Sequence, residues 1–228
     1  MGIKEKRRIG RLLQSSDLEA IIAELLRSPA PAVINPLIGA LCSTNETARW
    51  HAITALGPIL AKLADRDMEA ARVIMRRFMW SLNDESGGIG WGAPEAMGEI
   101  MACHDGLADE YAHMLVAYMR EDGFYLELEQ LQRGLMWGLG RLARDKPDLL
   151  RSKDAVRHLL PYLDSADSTV RGLAAWSLGL LNAEESTPLL EKLVDDPAPV
   201  RIYMDRCFLD ETVGELAHKA LANIAKES

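Results

Sequence analysis

Five short stretches of this chain read alike: RWHAITALG (49–57), GWGAPEAMG (90–98), QRGLMWGLG (132–140), RGLAAWSLG (171–179) and GELAHKALA (214–222). Their last residues, all small, fall at 57, 98, 140, 179 and 222, so the steps between them are 41, 42, 39 and 43. A period near 40 residues is the length of two helices and their turns. Upstream of each stretch lies a second apolar segment: VINPLIGALCS, ARVIMRRFMWSLND, YAHMLVAYMRED, AVRHLLPYLDS and TPLLEKLVDD. Neither helix of such a pair can bury its apolar stripe alone, whereas stacked pairs share one continuous core. The predicted fold is therefore all-α, a right-handed α-α superhelix of about five helical pairs.

Residue usage agrees. Ala, Leu, Glu, Arg and Met dominate the segments, and period-two runs of Val, Ile and Thr are missing. The pattern predicts one repeat domain over 1–228, with capping helices in 1–31 and repeats at 32–61, 67–103, 107–145, 152–182 and 185–228. Ser16 with Glu19, and Thr212 with Glu215, have the spacing of capping boxes.

The stretch LDSADSTVRGLAAWSLGLLNAEESTPLLEKLVDDPAPVR (163–201) is more specific. Asp167, Val170, Arg171, Ala174, Leu178 and Gly179, followed by a second PLLxxLxDDxxxVR ending at Val200 and Arg201, resemble the short HEAT-like repeats of phycobilisome-lyase-type proteins. The resemblance implies a HEAT/armadillo-like solenoid in which the Asp caps the second helix, the Val enters the core and the Arg joins a polar ladder between repeats. It also implies a binding scaffold, seldom a reaction. Two departures stand out: Gly90 occupies the Arg site of the second unit, and IYMDRCFLDETVGE interrupts the fifth near 202–213. The alternation there permits a small hairpin turning at or near Asp205-Arg206.

Helical phase predicts which residues remain for binding. With Arg49, Gly90, Gln132, Arg171 and Gly214 as position zero and about 100° per residue, apolar positions gather on one side. Trp50, Trp91, Trp137 and Trp176 fall on the other. In a HEAT-like solenoid the second helices line the concave surface, so these rings are expected to form an aromatic stripe along a groove, a surface suited to a protein or peptide partner or to a small apolar ligand. The same geometry adds His51, Thr54, Glu95, Glu99, Arg133, Arg141 and Leu180, of mixed charge. Packing of the rings between repeats is the alternative. Trp80, at the end of a first helix, is expected in the core.

The glycine-rich run NDESGGIGWGAPEAMGEI (83–100) makes Gly87, Gly88, Gly90 and Gly92 a candidate recognition loop, with Pro94 expected at the first helical position. It lacks the Lys-Ser/Thr of a phosphate-binding loop and the preceding strand of a dinucleotide fingerprint. Tyr203, Arg206 and Phe208 of the insertion are candidates to extend the binding face.

No catalytic residue, metal ligand set or cofactor is assigned: the five histidines form no HExxH, and no GxSxG is present. Glu95 and Glu99 share a helical face and are expected to be solvated. A net charge of −8 argues against nucleic acid as partner. Lys4, Lys6, Arg7, Arg8 and Arg11 are a local exception, read as a solvated helix face or a contact for an acidic partner or lipid surface. No apolar run reaches the roughly 20 residues of a membrane span, and three dispersed cysteines suit a reducing cytoplasm. The favoured function is a non-catalytic interaction or scaffold protein. A lyase-like or tetrapyrrole-handling accessory protein and a HEAT-like DNA glycosylase, the latter disfavoured by charge, are the alternatives.

Overall fold

The computed structural model describes residues 3–83 and 90–227. The chain forms two compact units, 1–108 and 109–228. In the first, α1 (Ile3–Leu12) and α2 (Leu18–Arg27) precede α3 (Ala30–Ala40), α4 (Glu46–Ala64), α5 (Met68–Leu82) and α6 (Ala93–Cys103). Here α3 packs on α1 and α4, α2 packs on α4, and α4 packs on α5 and α6. The unit boundary falls inside α7 (Asp105–Ala117). The second unit continues with α8 (Glu129–Asp145), α9 (Pro147–Ser152), α10 (Ala155–Leu159), α11 (Ser168–Leu180) and α12 (Thr187–Leu190). It closes with a hairpin, β1 (Pro199–Met204) and β2 (Cys207–Thr212), and α13 (Val213–Glu227). The fold class is the all-α solenoid of paired helices.

Local chemistry starts these helices. Asn45 and Asp67 cap α4 and α5 by accepting from the N–H of Ala48 (2.9 Å) and Ala70 (3.0 Å). At α13 the capping box is complete: the Thr212 N–H donates to Glu215 Oε2 at 2.7 Å and the Glu215 N–H to Thr212 Oγ1 at 3.1 Å. The expectation for Ser16 is corrected by one residue. Asp17 caps α2, taking the Ala20 N–H at 2.9 Å, because the helix begins at Leu18, whose side chain is buried.

In three of the repeat stretches the small residue at the end is where the next second helix approaches. A Cβ on Gly57 would lie 2.7 Å from Cys103 Sγ on α6. On Gly140 it would meet the Trp176 ring of α11 at 2.1 Å, and on Gly179 the Ala220 Cα of α13 at 2.4 Å. In consequence the second helices are covered on nearly all sides. Residues 93–101 of α6 are all buried, and from 131 to 140 of α8 Arg133 alone is exposed.

Trp80 is corrected: it is 73% exposed. The apolar stripe of α5 is Ala71, Met75 and Phe78, and two residues beyond Phe78 is about 200° around the helix.

The hairpin is antiparallel, with Tyr203 paired to Phe208 and Met204 to Cys207. Its two-residue turn places Asp205 at φ 48° and Arg206 at φ 65°, the left-handed pair that suits the right-handed twist of the strands.

Because the Gly179 contact is with helix backbone, Gly179→Ala is expected to destabilise the protein by about 1–3 kcal/mol. Chemical denaturation checks this, and an unchanged midpoint would show that α11 and α13 do not depend on the close approach.

Candidate functional site

In the second unit an Asp–Arg ladder aligns the second helices. Asp167 caps α11 by accepting from the Val170 N–H at 3.0 Å, and Val170 is fully buried. Arg133 of α8 donates through Nε to Asp167 Oδ2 at 2.9 Å, and its Nη2 pairs with the same oxygen. Burial raises the Asp167 carboxyl, but Arg133 and the Val170 N–H outweigh it and hold the group below its usual range. One repeat on, Arg171 donates to Asp196 Oδ2 at 2.8 Å and to the Ser165 carbonyl at 2.7 Å. Each rung therefore joins a helix cap or turn to the preceding second helix.

The aromatic residues divide. Trp50 and Trp137 are buried, at 8% and 5% exposure, while Trp91 and Trp176 are half-buried. Phase counting expected all four to face a groove; covering of the second helices by their neighbours and by the hairpin accounts for the difference. The Trp137 indole N–H donates to the Tyr203 carbonyl of β1 at 2.7 Å. Trp176 lies against Gly140 and packs on the Val200, Val213 and Leu216 cluster.

The hairpin thus straps the second helices of its own unit. Ser168 Oγ donates to the Pro199 carbonyl at 3.0 Å, and Arg144 pairs with Asp205 at the turn at 2.6 Å. Of its three candidate residues, Tyr203 is buried, Phe208 is half-buried and Arg206 is exposed. The Tyr203 and Phe208 rings meet edge to face, 5.2 Å apart, and Arg201 stacks on Phe208 at 4.6 Å.

In the first unit His51 is buried, with Nδ1 2.9 Å from the Leu13 carbonyl just beyond α1. A carbonyl can only accept, so Nδ1 carries the proton. Thr54 is also buried and returns its hydroxyl to the Trp50 carbonyl at 2.9 Å. Gly90 and Gly92 are buried, and Gly92 is the N-cap of α6 at φ 72°. A Cβ on Gly90 would lie 2.8 Å from Leu82, and one on Gly92 3.0 Å from Leu41, so both glycines meet the chain's own core. Pro94 takes the second helical position, after Ala93. Gly87 and Gly88 lie outside the described residues. In the second unit Arg141 is half-buried and pairs with Asp145, and Leu180 is half-buried.

The solvated reading of Glu95 and Glu99 is corrected: they are 9% and 6% exposed. Both lie on α6, and close packing against α4 at Gly57 covers the face they share. Glu95 Oε2 has no hydrogen-bond partner among the described residues. Burial pushes its carboxyl above the usual value, opposed by its own backbone N–H and by Arg49. Periodicity alone misses these groups, since a carboxylate on a helix reads as surface until the neighbouring helix is in place. Among the described residues no three of His, Cys, Asp and Glu gather as a metal site.

Residues 114–203 match the family model of HEAT repeats. Among solved structures, an engineered protein is similar along nearly the whole length, with 19% identity, 99% of this chain and 98% of that one covered, and a TM-score of 0.54. A designed armadillo repeat protein is 18% identical over 95% and 98% of the two chains, with a TM-score of 0.51. Another, solved in complex with the peptide (KR)4, is 17% identical over 95% and 98%, with a TM-score of 0.54. No protein of curated function matches the chain. These likenesses establish the repeat fold.

The buried Glu95 makes stability pH-dependent in a definite sense. Below its ordinary value of 4.5 the carboxyl is protonated in both the folded and the unfolded chain. As the pH rises past that value the unfolded chain ionises first, so stability declines until the folded group ionises too. Glu95→Gln removes this dependence. Its melting temperature relative to the native protein is expected to be higher at about pH 7.5 than at about pH 4. A difference that stays constant with pH would show that Glu95 ionises normally in the fold.

Proposed function

We propose that this chain is a non-catalytic interaction or scaffold protein that grips a protein or peptide along the concave, second-helix face of its repeats. The observation that supports it is the grip those helices already exert on an extended segment. Trp137 and Ser168 hold two main-chain carbonyls of β1, and Arg144 holds the turn. Main-chain carbonyls are what every extended peptide offers, and side-chain contacts around them supply selectivity. The designed armadillo protein in complex with (KR)4 pairs the same fold with a bound peptide.

Within the first unit, half-buried Trp91 is the proposed contact. Within the second, it is Arg133, Arg141, Trp176 and the hairpin residues Arg206 and Phe208. The Asp167–Val170–Arg171 geometry favours assigning the repeats to the phycobilisome-lyase-type HEAT-like units. Three free thiols favour the cytoplasm.

Photocrosslinking tests this reading. Benzoylphenylalanine replaces Trp91, Arg206 or, on a first helix, Trp80, and the protein is irradiated in its native cell. Crosslinks to a defined protein are expected from positions 91 or 206 and not from 80. Crosslinks from 80 alone would move the binding surface to the first helices, and none at any position would remove the interaction reading.

A further inference from the structure

We propose that a groove between α1 and α3 binds an acidic, extended peptide segment, a site independent of the second-helix face discussed above. The groove has a volume of about 660 Å³. Lys6, Arg7 and Arg11 form its rim, and among the described residues no Asp or Glu lines it. All three cations are exposed and have no ion-pair partner among the described residues. Arg8, on the same helix, is instead spent on Glu5 and Glu24.

Two features of these helices cost stability and share this one location. Arg7 and Arg11 stand four residues apart, a like-charge pair that opposes the helix. Gly10 and Gly39 lie inside α1 and α3, where glycine weakens a helix, yet no close packing calls for them. A Cβ on Gly10 would meet nothing within 4 Å, and one on Gly39 only Lys6 Cε at 4.0 Å. What the two glycines do is leave the groove open beneath the cations.

The occupant follows from charge complementarity and from the floor. Leu13, Pro36 and Ala48 lie beneath the basic rim, so a ligand carrying negative charge at its edge and an apolar side chain at its centre satisfies both. An extended peptide alternating acidic and apolar residues does so, since its side chains point to opposite faces. A flat anionic membrane does not reach a recessed floor. A polyphosphate chain leaves that floor unfilled, and the net charge of −8 repels long polyanions.

The test uses the full-length protein and a fluorescein-labelled, end-capped octapeptide of alternating Glu and Leu, followed by fluorescence anisotropy at low and moderate salt. Saturable binding that weakens with salt is expected, with a loss of about tenfold or more in the combined Lys6→Ala, Arg7→Ala and Arg11→Ala variant. Arg8→Ala should bind as the native protein does. Gly39→Leu fills the groove without changing charge and should also abolish binding. Cys42 lines the groove and Cys207 does not, so bound peptide should slow maleimide labelling of Cys42 alone, read by mass spectrometry. Equal binding by all variants, or no protection of Cys42, overturns the proposal. So does full displacement by millimolar inorganic phosphate, which would mark a small-anion site. Capture by phosphatidylserine vesicles in place of the peptide would mark a lipid contact and overturns it as well.

Discussion

How closely two second helices can approach sets most of what this protein presents to solvent. Gly57 admits Glu99 and Cys103 of α6, Gly140 admits the ring of Trp176, and Gly179 admits the backbone of α13. A methyl group at any of them would push the neighbouring element away, and the apolar faces now buried would open. The close approach also fixes what the polar side chains do. With the helices this near, Arg133 reaches across to the Asp167 that caps α11, and Arg171 reaches Asp196. The cap and the ladder become one structure. Both partners of the Arg171–Asp196 pair are largely shielded, at 17% and 19% side-chain exposure, so it is less screened than a surface ion pair.

The repeat was legible because its signal is a spacing, and spacing survives variation in loop length. The small residue at the end of each stretch was legible too, but its purpose was not, because a sequence does not say which helix lies opposite. That one gap explains the misplaced aromatics. Rotating about a single helix assigns one buried side and one free side, whereas α4, α6, α8 and α11 are covered from several directions. Trp50 and Trp137 were consequently read as groove residues when they are core. On α5, a first helix, the failure was simpler. Trp80 was placed by its chemistry, although the phase of Ala71, Met75 and Phe78 already put it outside.

The hairpin was half legible. Alternation of Ile202 and Met204 against Tyr203 and Asp205 pointed to strands, and the turn fell where expected, at Asp205 and Arg206. Its docking was not, because the Trp137 indole and the Tyr203 carbonyl are 66 residues apart, and nothing local links them. Once docked, the hairpin explains its own cost. An arginine in the left-handed region is strained relative to glycine, and the chain accepts that to close a two-residue turn whose Asp205 reaches Arg144.

Sequences that specify one fold tend to agree with it at every level, and local disagreements gather where something other than stability is being served. Four disagreements can be compared here, and they are not equivalent. Arg206 is offset by the strap it closes. Gly92 is required by the left-handed start of α6. Glu95 is buried with no partner for Oε2 among the described residues, on a helix packed closely against α4, so its effect falls on stability. The crowded cations and idle glycines of α1 and α3 have no such compensation within the fold: neither packing nor pairing uses them. They border an open volume, and a cost that folding does not recover is recovered by what enters that volume.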